Sequence, residues 1–168
     1  GVPPFSVSIA VEDERGLLAG AIHDPFHAET FHACRGGGAK LNGDPIHCSE
    51  PPSSDRALVA TGFPFRELSR LDRYMRAFEA FVHCTAGIRR AGSAAIDLAY
   101  TACGRYDGFR EIGLSRWDIA AGALIVLEAG GRVSDPLGGD RYLDTGDIVA
   151  AGSGMHSPML EITRKAFG

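Results

Sequence analysis

Asp118, beside the chain's single tryptophan, Trp117, stands at the head of the stretch SRWDIAAGALIVLEAGG, residues 115–131. The residues after it are apolar nearly all round, the pattern of a helix buried between layers. Ser115 with Asp118 three positions on fits a capping box, and the helix dipole favours an acid there by about 0.3–1 kcal/mol. A carboxylate at a helix mouth also suits a hard cation such as Mg2+, which takes oxygen donors and keeps several waters. Spacing leaves both roles open, and one oxygen could serve each. Glu111 lies seven residues upstream, at the end of an expected strand, where a solvated acid is ordinary. Gly92, Ser93 and Ala94 open a helix after another strand. Gly92 permits close approach of the backbone, the helix start offers N–H donors, and Ser93 suits a cap. Arg89 and Arg90 precede that turn, and strand alternation sends one towards such a site and the other away.

Other patterns carry less. His23, His27 and His32 fall across a strand, a turn and a second strand, and so do not share one helix face as paired metal ligands would. The run RGGGAK lacks the Lys-Ser/Thr ending of a phosphate loop and is read as part of a hairpin. Cys34, Cys48, Cys84 and Cys103 have no zinc spacing and are read as small apolar fillers in a reducing, cytoplasmic setting.

The elements that must position these residues follow from periodicity. Alternation predicts strands over 5–13, 17–25 and 29–36, joined by short turns into an antiparallel meander. A glycine-rich excursion over 35–50 holds a hairpin turn at Asn42-Gly43. A strand within 55–64 leads into a helix over 65–86, with Leu68, Leu71, Met75, Phe78, Phe81 and Val82 on its apolar face. Residues 88–113 read strand, helix, strand, with Gly104 near the helix end. The helix over 115–130 is followed by strands over 132–135 and 147–152. A last helix over 156–167 has Ser157 as its cap and Pro158 in its first turn. Strands first as a meander, later alternating with helices, predict a layered α/β (α+β) fold with mixed sheets sandwiched between helix layers, in one domain over 1–168.

Composition bounds the function. Of 168 residues, 45% are apolar and 23% charged, which supports a globular core. The net charge of -4 makes no electrostatic case for nucleic-acid binding. No apolar run approaches the ~20 residues needed to span a bilayer, and no basic-then-apolar leader opens the chain, so no membrane partner is expected.

The segment EIGLSRWDIAAGALIVLEAGG resembles the C-terminal signature of the inositol monophosphatase family, in which Trp-Asp opens a buried helix ending in Glu-Ala-Gly-Gly. GVPPFSVSIAV, ETFHACRGGGAKLNGDPIHCSE, ATGFPF, RRAGSAAIDLAYTACGRYDGFREIG and GDIVAAG resemble further family segments in the same order. The pattern is similar to that of bacterial inositol-1-phosphatase-type members. The resemblance implies a Mg2+-dependent, lithium-sensitive phosphomonoesterase acting on inositol monophosphate or a related sugar or polyol phosphate through metal-activated water. It implies that Asp118 is a catalytic metal ligand, that Glu111 hydrogen-bonds a ring hydroxyl, and that Gly92, Ser93 and Ala94 line the sugar site. By the family pattern Arg89, not Arg90, faces the substrate. A cytoplasmic homodimer is expected. The family's other metal carboxylates, in a Gly-Glu-Glu segment and an Asp-Pro-x-Asp-Gly-Thr motif, lie N-terminal to the segments matched here. SDPLGGD, residues 134–140, echoes the latter only faintly and is read as a turn. The chain is therefore expected to be the central and C-terminal portion of such a domain, with little activity alone and an apolar sheet face left uncovered. Relatives acting on fructose bisphosphate, nucleotide 3′-phosphate or histidinol phosphate are alternatives, as is a binding module that keeps the fold without the chemistry.

Overall fold

The computed structural model describes residues 3–168 except Pro52, Arg66 and Glu67. Alternating residues build a first sheet from Val7–Asp13 (β1), Gly16–Asp24 (β2), Glu29–Cys34 (β3), Ala39–Leu41 (β4) and Asp44–Ile46 (β5). The strands follow chain order and every pair is antiparallel. Local turn chemistry fixes the register. Asp24 Oδ1 accepts the N–H groups of Phe26 (2.9 Å) and His27 (3.2 Å). Asn42 (φ 50) and Gly43 (φ 96) give the two positive φ values that a tight hairpin turn requires.

A second sheet contains Leu58–Thr61 (β6), Gly87–Arg89 (β7), Gly108–Glu111 (β8), Arg132–Ser134 (β9) and Ile148–Ala151 (β10), in the order β7-β6-β8-β10-β9. β6 runs parallel to β7 and β8, while β10 is antiparallel to β8 and β9. The α-helices among the described residues are Leu71–Cys84 (α1), Ala94–Ala102 (α2), Arg116–Glu128 (α3), Tyr142–Thr145 (α4) and Ser153–Phe167 (α5).

Helices α2 and α3 lie between the sheets, in one core with Ile22 and Phe31 of the first sheet and Phe109 and Ile148 of the second. α1 and α5 cover the far side of the second sheet through Tyr74, Phe81, Met155 and Met159. The layers thus run sheet, helices, sheet, helices, a layered α/β fold as expected. The second sheet is sandwiched between helix layers, and the buried helix pair sits between the two sheets. Close approach fixes α3. A Cβ on Gly122 would overlap Leu98 of α2, and one on Gly20 would come within 2.9 Å of the Ala121 Cα. Ile119 through Val126 are all buried, as the all-round apolar pattern requires.

Several expectations are corrected. The helix expected over 65–86 is α1, entered through a 3-10 turn at Leu68–Arg70, and Arg66 and Glu67 lie outside the described residues. Its buried face is Tyr74, Ala77 and Phe81, whereas Leu68, Leu71, Met75 and Val82 are exposed. The last helix starts at Ser153 and not after Ser157, because Gly152 is the N-cap and its carbonyl accepts the His156 N–H at 3.0 Å. Pro158 therefore falls inside it. Short α4 lies in a stretch read as loop. Trp117 is 73% exposed, since the burial of α3 begins only at Ile119. The uncovered sheet face is present: Val7, Ile9 and Val11 along edge strand β1, and Phe5 just before it, are each more than half exposed. No described helix is long and apolar enough to cross a membrane.

Candidate active site

The parallel register of the second sheet brings β6 beside β8, with Thr61 opposite Arg110. The next residues are Gly62 and Glu111, and Gly62 is small enough to let the carboxylate lie against its Cα. A Cβ there would overlap all three atoms of the Glu111 carboxyl group. After Glu111 the chain crosses to α3 through Ile112–Ser115. That crossing is pinned by the Gly113 N–H to Asp147 Oδ1 (3.0 Å) and the Leu114 N–H to the Gly146 carbonyl (2.9 Å). Arg70 holds Asp147 in turn.

The crossing delivers Asp118 to the first turn of α3. The Ser115 N–H donates to Asp118 Oδ2 at 3.0 Å, so the acid caps its helix. Its Oδ1 has no hydrogen-bond partner among the described residues. One oxygen thus serves the cap, and the other is left without a protein donor among the described residues. Arg116 ties the same turn to Glu12 of β1 at 2.5 and 2.6 Å.

Asp118, Glu111, Gly92, Ser93 and Ala94 line one cavity of about 620 Å³. Gly92 sits at φ +105, the backbone conformation that suits glycine. Ser93 is the N-cap of α2, without a side-chain capping bond. Arg89 is not among the cavity residues. Its Nη1 donates to the Ile88 carbonyl at 3.2 Å. The adjacent Arg90 lines the cavity instead. β7 ends at Arg89, so strand alternation does not extend across the turn that swings Arg90 inward.

Electrostatics mark the cavity floor. Burial first, then the charge of Asp118, raises the Glu111 carboxyl to about 7, with Arg90 opposing. Behind the wall, Asp97 of α2 is 1% exposed and its Oδ1 has no partner. Burial and the nearby Glu111 push it to about 8. Gly62, Phe63, Phe65 and Ser8 also line the cavity and were not singled out from sequence. The glycine following β6 was the available signal for Gly62.

The discounted groups have local partners. His27 Nδ1 lies 2.7 Å from Asp24 Oδ2, and His23 Nδ1 lies 2.9 Å from Thr30 Oγ1. The Gly36 and Gly38 N–H groups donate to Glu128 at 2.8 and 2.9 Å, which explains the glycine run as a capped hairpin loop. Asp135 accepts the N–H groups of Leu137 and Gly139, closing a turn over 135–139. No cluster of three or more His, Cys, Asp or Glu gathers for a metal among the described residues. An Mg2+ ion would find one free carboxylate oxygen at Asp118, with the rest of its shell left to water or other donors. That fits its habit of keeping several waters.

Comparison with known proteins shows which proteins this chain is similar to. "Nus factor SuhB" of Pseudomonas aeruginosa is 53% identical over 152 residues, covering 89% of this chain and 56% of that protein. The Escherichia coli K12 protein of the same name is 46% identical over 159 residues, covering 95% and 60%. This chain thus spans less than two thirds of these relatives' length. Among solved structures, the extragenic suppressor protein suhB of Bartonella henselae superposes with a TM-score of 0.93 at 39% identity, covering 97% of this chain and 62% of that one. Inositol monophosphatase from Anabaena gives 0.86 at 37%, covering 97% and 65%. The sequence pattern of the inositol monophosphatase family matches residues 1–166, and the chain belongs to that family.

Proposed function

We propose that this chain forms the leaving-group side of a Mg2+-dependent phosphomonoesterase site for inositol monophosphate or a related polyol or sugar phosphate. The observation carrying this is the convergence of Asp118, Glu111 and the Gly92–Ala94 turn on one cavity. Asp118 would hold the ion through Oδ1 while Oδ2 keeps its helix cap. Bound Mg2+ would supply an activated water and neutralise charge on the leaving oxygen. Glu111, near its midpoint at neutral pH, accepts or donates a hydrogen bond to a hydroxyl of the leaving group. Gly92–Ala94 brings backbone against the ring, and Arg90 supplies positive charge beside it. Lithium sensitivity and a homodimer are part of the proposal.

Calorimetric titration of the chain with Mg2+ and inositol 1-phosphate tests it. Asp118→Asn keeps an oxygen for the Ser115 N–H and should weaken Mg2+ binding at least tenfold with little loss of stability. Unchanged Mg2+ affinity in that variant overturns the reading. A second reading, a binding role, draws on the name "Nus factor" of the relatives and on the exposed Leu71, Met75 and Val82 of α1. Retained partner binding by Asp118→Asn would support it.

A further inference from the structure

Asp97 has no part in the chemistry above, yet the fold holds it just behind the site. It stands in the first turn of α2, where its N–H donates to the Ser93 carbonyl at 2.9 Å. The Cα–Cβ bonds of a helix tilt towards its N-terminus, so the side chain reaches back beneath the Ser93–Ala94 rim. Ser93, Ala94 and Ala95 line the cavity together with Glu111. Asp97 lies behind them, 1% exposed, with Oδ1 unpartnered. An acid in the first turn of a helix is ordinarily a solvated anion that the dipole favours. A buried one without a partner is unfavourable, charged or neutral.

Glu111 is in the complementary position. Its carboxylate is held against Gly62, and no described residue donates to it. Glu111 is the largest charge acting on Asp97, and Arg90 is the next; Arg90 also acts on Glu111, so the three groups share one place. Tyr106, in the loop after α2, also lies in the field of Asp97, and burial keeps its hydroxyl neutral. Asp118 and Arg110 act on Glu111 from α3 and β8. Two neighbouring acids do not ionise together, because the first charge holds the proton on the second. Burial and the Glu111 charge raise Asp97 further than burial raises Glu111, so Glu111 ionises first. A neutral carboxyl is then a donor beside an acceptor, and one hydrogen bond satisfies both. We propose that Asp97 is a positioning residue for Glu111, its carboxyl O–H donating to the Glu111 carboxylate, directly or across one internal water, and turning the other Glu111 oxygen to the leaving group. The inference rests on the phosphatase reading for the leaving group alone, and the contact between the two acids stands without it.

The test is a pH titration by carbon NMR of the chain labelled at its Glu and Asp carboxyl carbons, without Mg2+ or ester. The Glu111 and Asp97 signals are assigned by their loss in Glu111→Gln and Asp97→Asn, and folding is checked by circular dichroism. Asp97→Leu, of similar bulk but with no donor, should raise the Glu111 midpoint by about one pH unit, the weight of one hydrogen bond to a charged group. Asp97→Asn keeps a neutral donor and should leave the midpoint in place. Equal midpoints in the two variants, or a lowered one in Asp97→Asn, overturns the contact. In the unaltered chain the Asp97 signal should titrate after that of Glu111; the reverse order overturns the proposal even if Asp97→Leu does not fold. A midpoint moved from about 7 to about 8 cuts the ionised fraction at pH 7.5 about threefold. Inositol 1-phosphate in Mg2+ should therefore bind about threefold more weakly to Asp97→Leu than to Asp97→Asn, and equal affinities overturn the positioning role. The expected midpoints in a chain that binds no inositol 1-phosphate support the contact and overturn the phosphatase reading instead.

Discussion

Replacing Gly62 with alanine should cost ligand affinity through Glu111 alone. The new methyl would occupy the space of the Glu111 carboxyl group, and no positive φ is involved, so the effect is purely steric. The carboxylate is the far end of a flexible side chain and can escape by turning into the cavity, towards Asp118. Overpacking of this kind costs about 1–3 kcal/mol, and an escape route places it near the low end. For a chain of this size 1 kcal/mol lowers the melting temperature by about 2–4 °C. The larger loss would be the proposed hydrogen bond to the leaving group, worth about 1.5–3 kcal/mol when one partner is charged, or a 10- to 150-fold drop in affinity. Calorimetry with inositol 1-phosphate measures it, and a double-mutant cycle isolates it. With Glu111→Ala already in place, Gly62→Ala should cost almost nothing further. Additive losses in that cycle, or an affinity within twofold of the original in the single variant, would refute the cradle argument.

Asp97→Asn should stabilise the chain at pH 8–9 and have little effect at pH 4. Folded, the carboxyl keeps its proton to about pH 8; unfolded it loses it near 3.9. Unfolding thus releases a proton between these values, stability falls as pH rises through that window, and an amide escapes the loss. Urea denaturation at both pH values measures this, and an equal effect at both would contradict it. Arg110 is 2% exposed, lies 4.1 Å from the Tyr74 ring centroid, and has an unpartnered Nη1. Burial lowers its pKa to about 10. Arg110→Met should be neutral or stabilising, as buried charges replaced by apolar groups often are; a loss above about 3 kcal/mol in denaturant unfolding would show that the stacked cation is a net asset. Ile9→Lys on β1 should reduce self-association measured by sedimentation, because Ile9 is 60% exposed on an apolar edge. Unchanged association would exonerate that face.

Periodicity was a good guide where a residue's environment is decided by its near neighbours. The meander follows from alternation and from turn residues such as Asp24 and Asn42-Gly43, and α3 from an apolar pattern with no polar face. It failed where apolar residues occur on both sides of a helix. In α1, Tyr74, Ala77 and Phe81 win burial over Leu71, Met75 and Val82 because the second sheet and α5 meet that side. The start of α5 was hidden by Gly152, Gly154 and Pro158, poor helix formers overridden by tertiary contacts at Met155 and Met159. The meeting of Asp118, Glu111 and Gly92–Ala94 around one cavity was legible from their motifs. The choice between Arg89 and Arg90 was not, since it depends on where β7 ends. Gly62 was silent because its role exists only once β6 lies parallel to β8.

In the proposed site the carboxylate of Asp118 would serve two masters, and this would tie cation occupancy to the integrity of a buried rod. An ion held by Oδ1 would also immobilise the side chain whose Oδ2 receives the Ser115 amide, at the point where α3 begins between both sheets. Loading the ion should slow amide hydrogen exchange at Ser115 and damp fraying of the first turn, and stripping it should loosen the same few residues while leaving the centre of the rod undisturbed. The interior would then register the metal before any ester arrives.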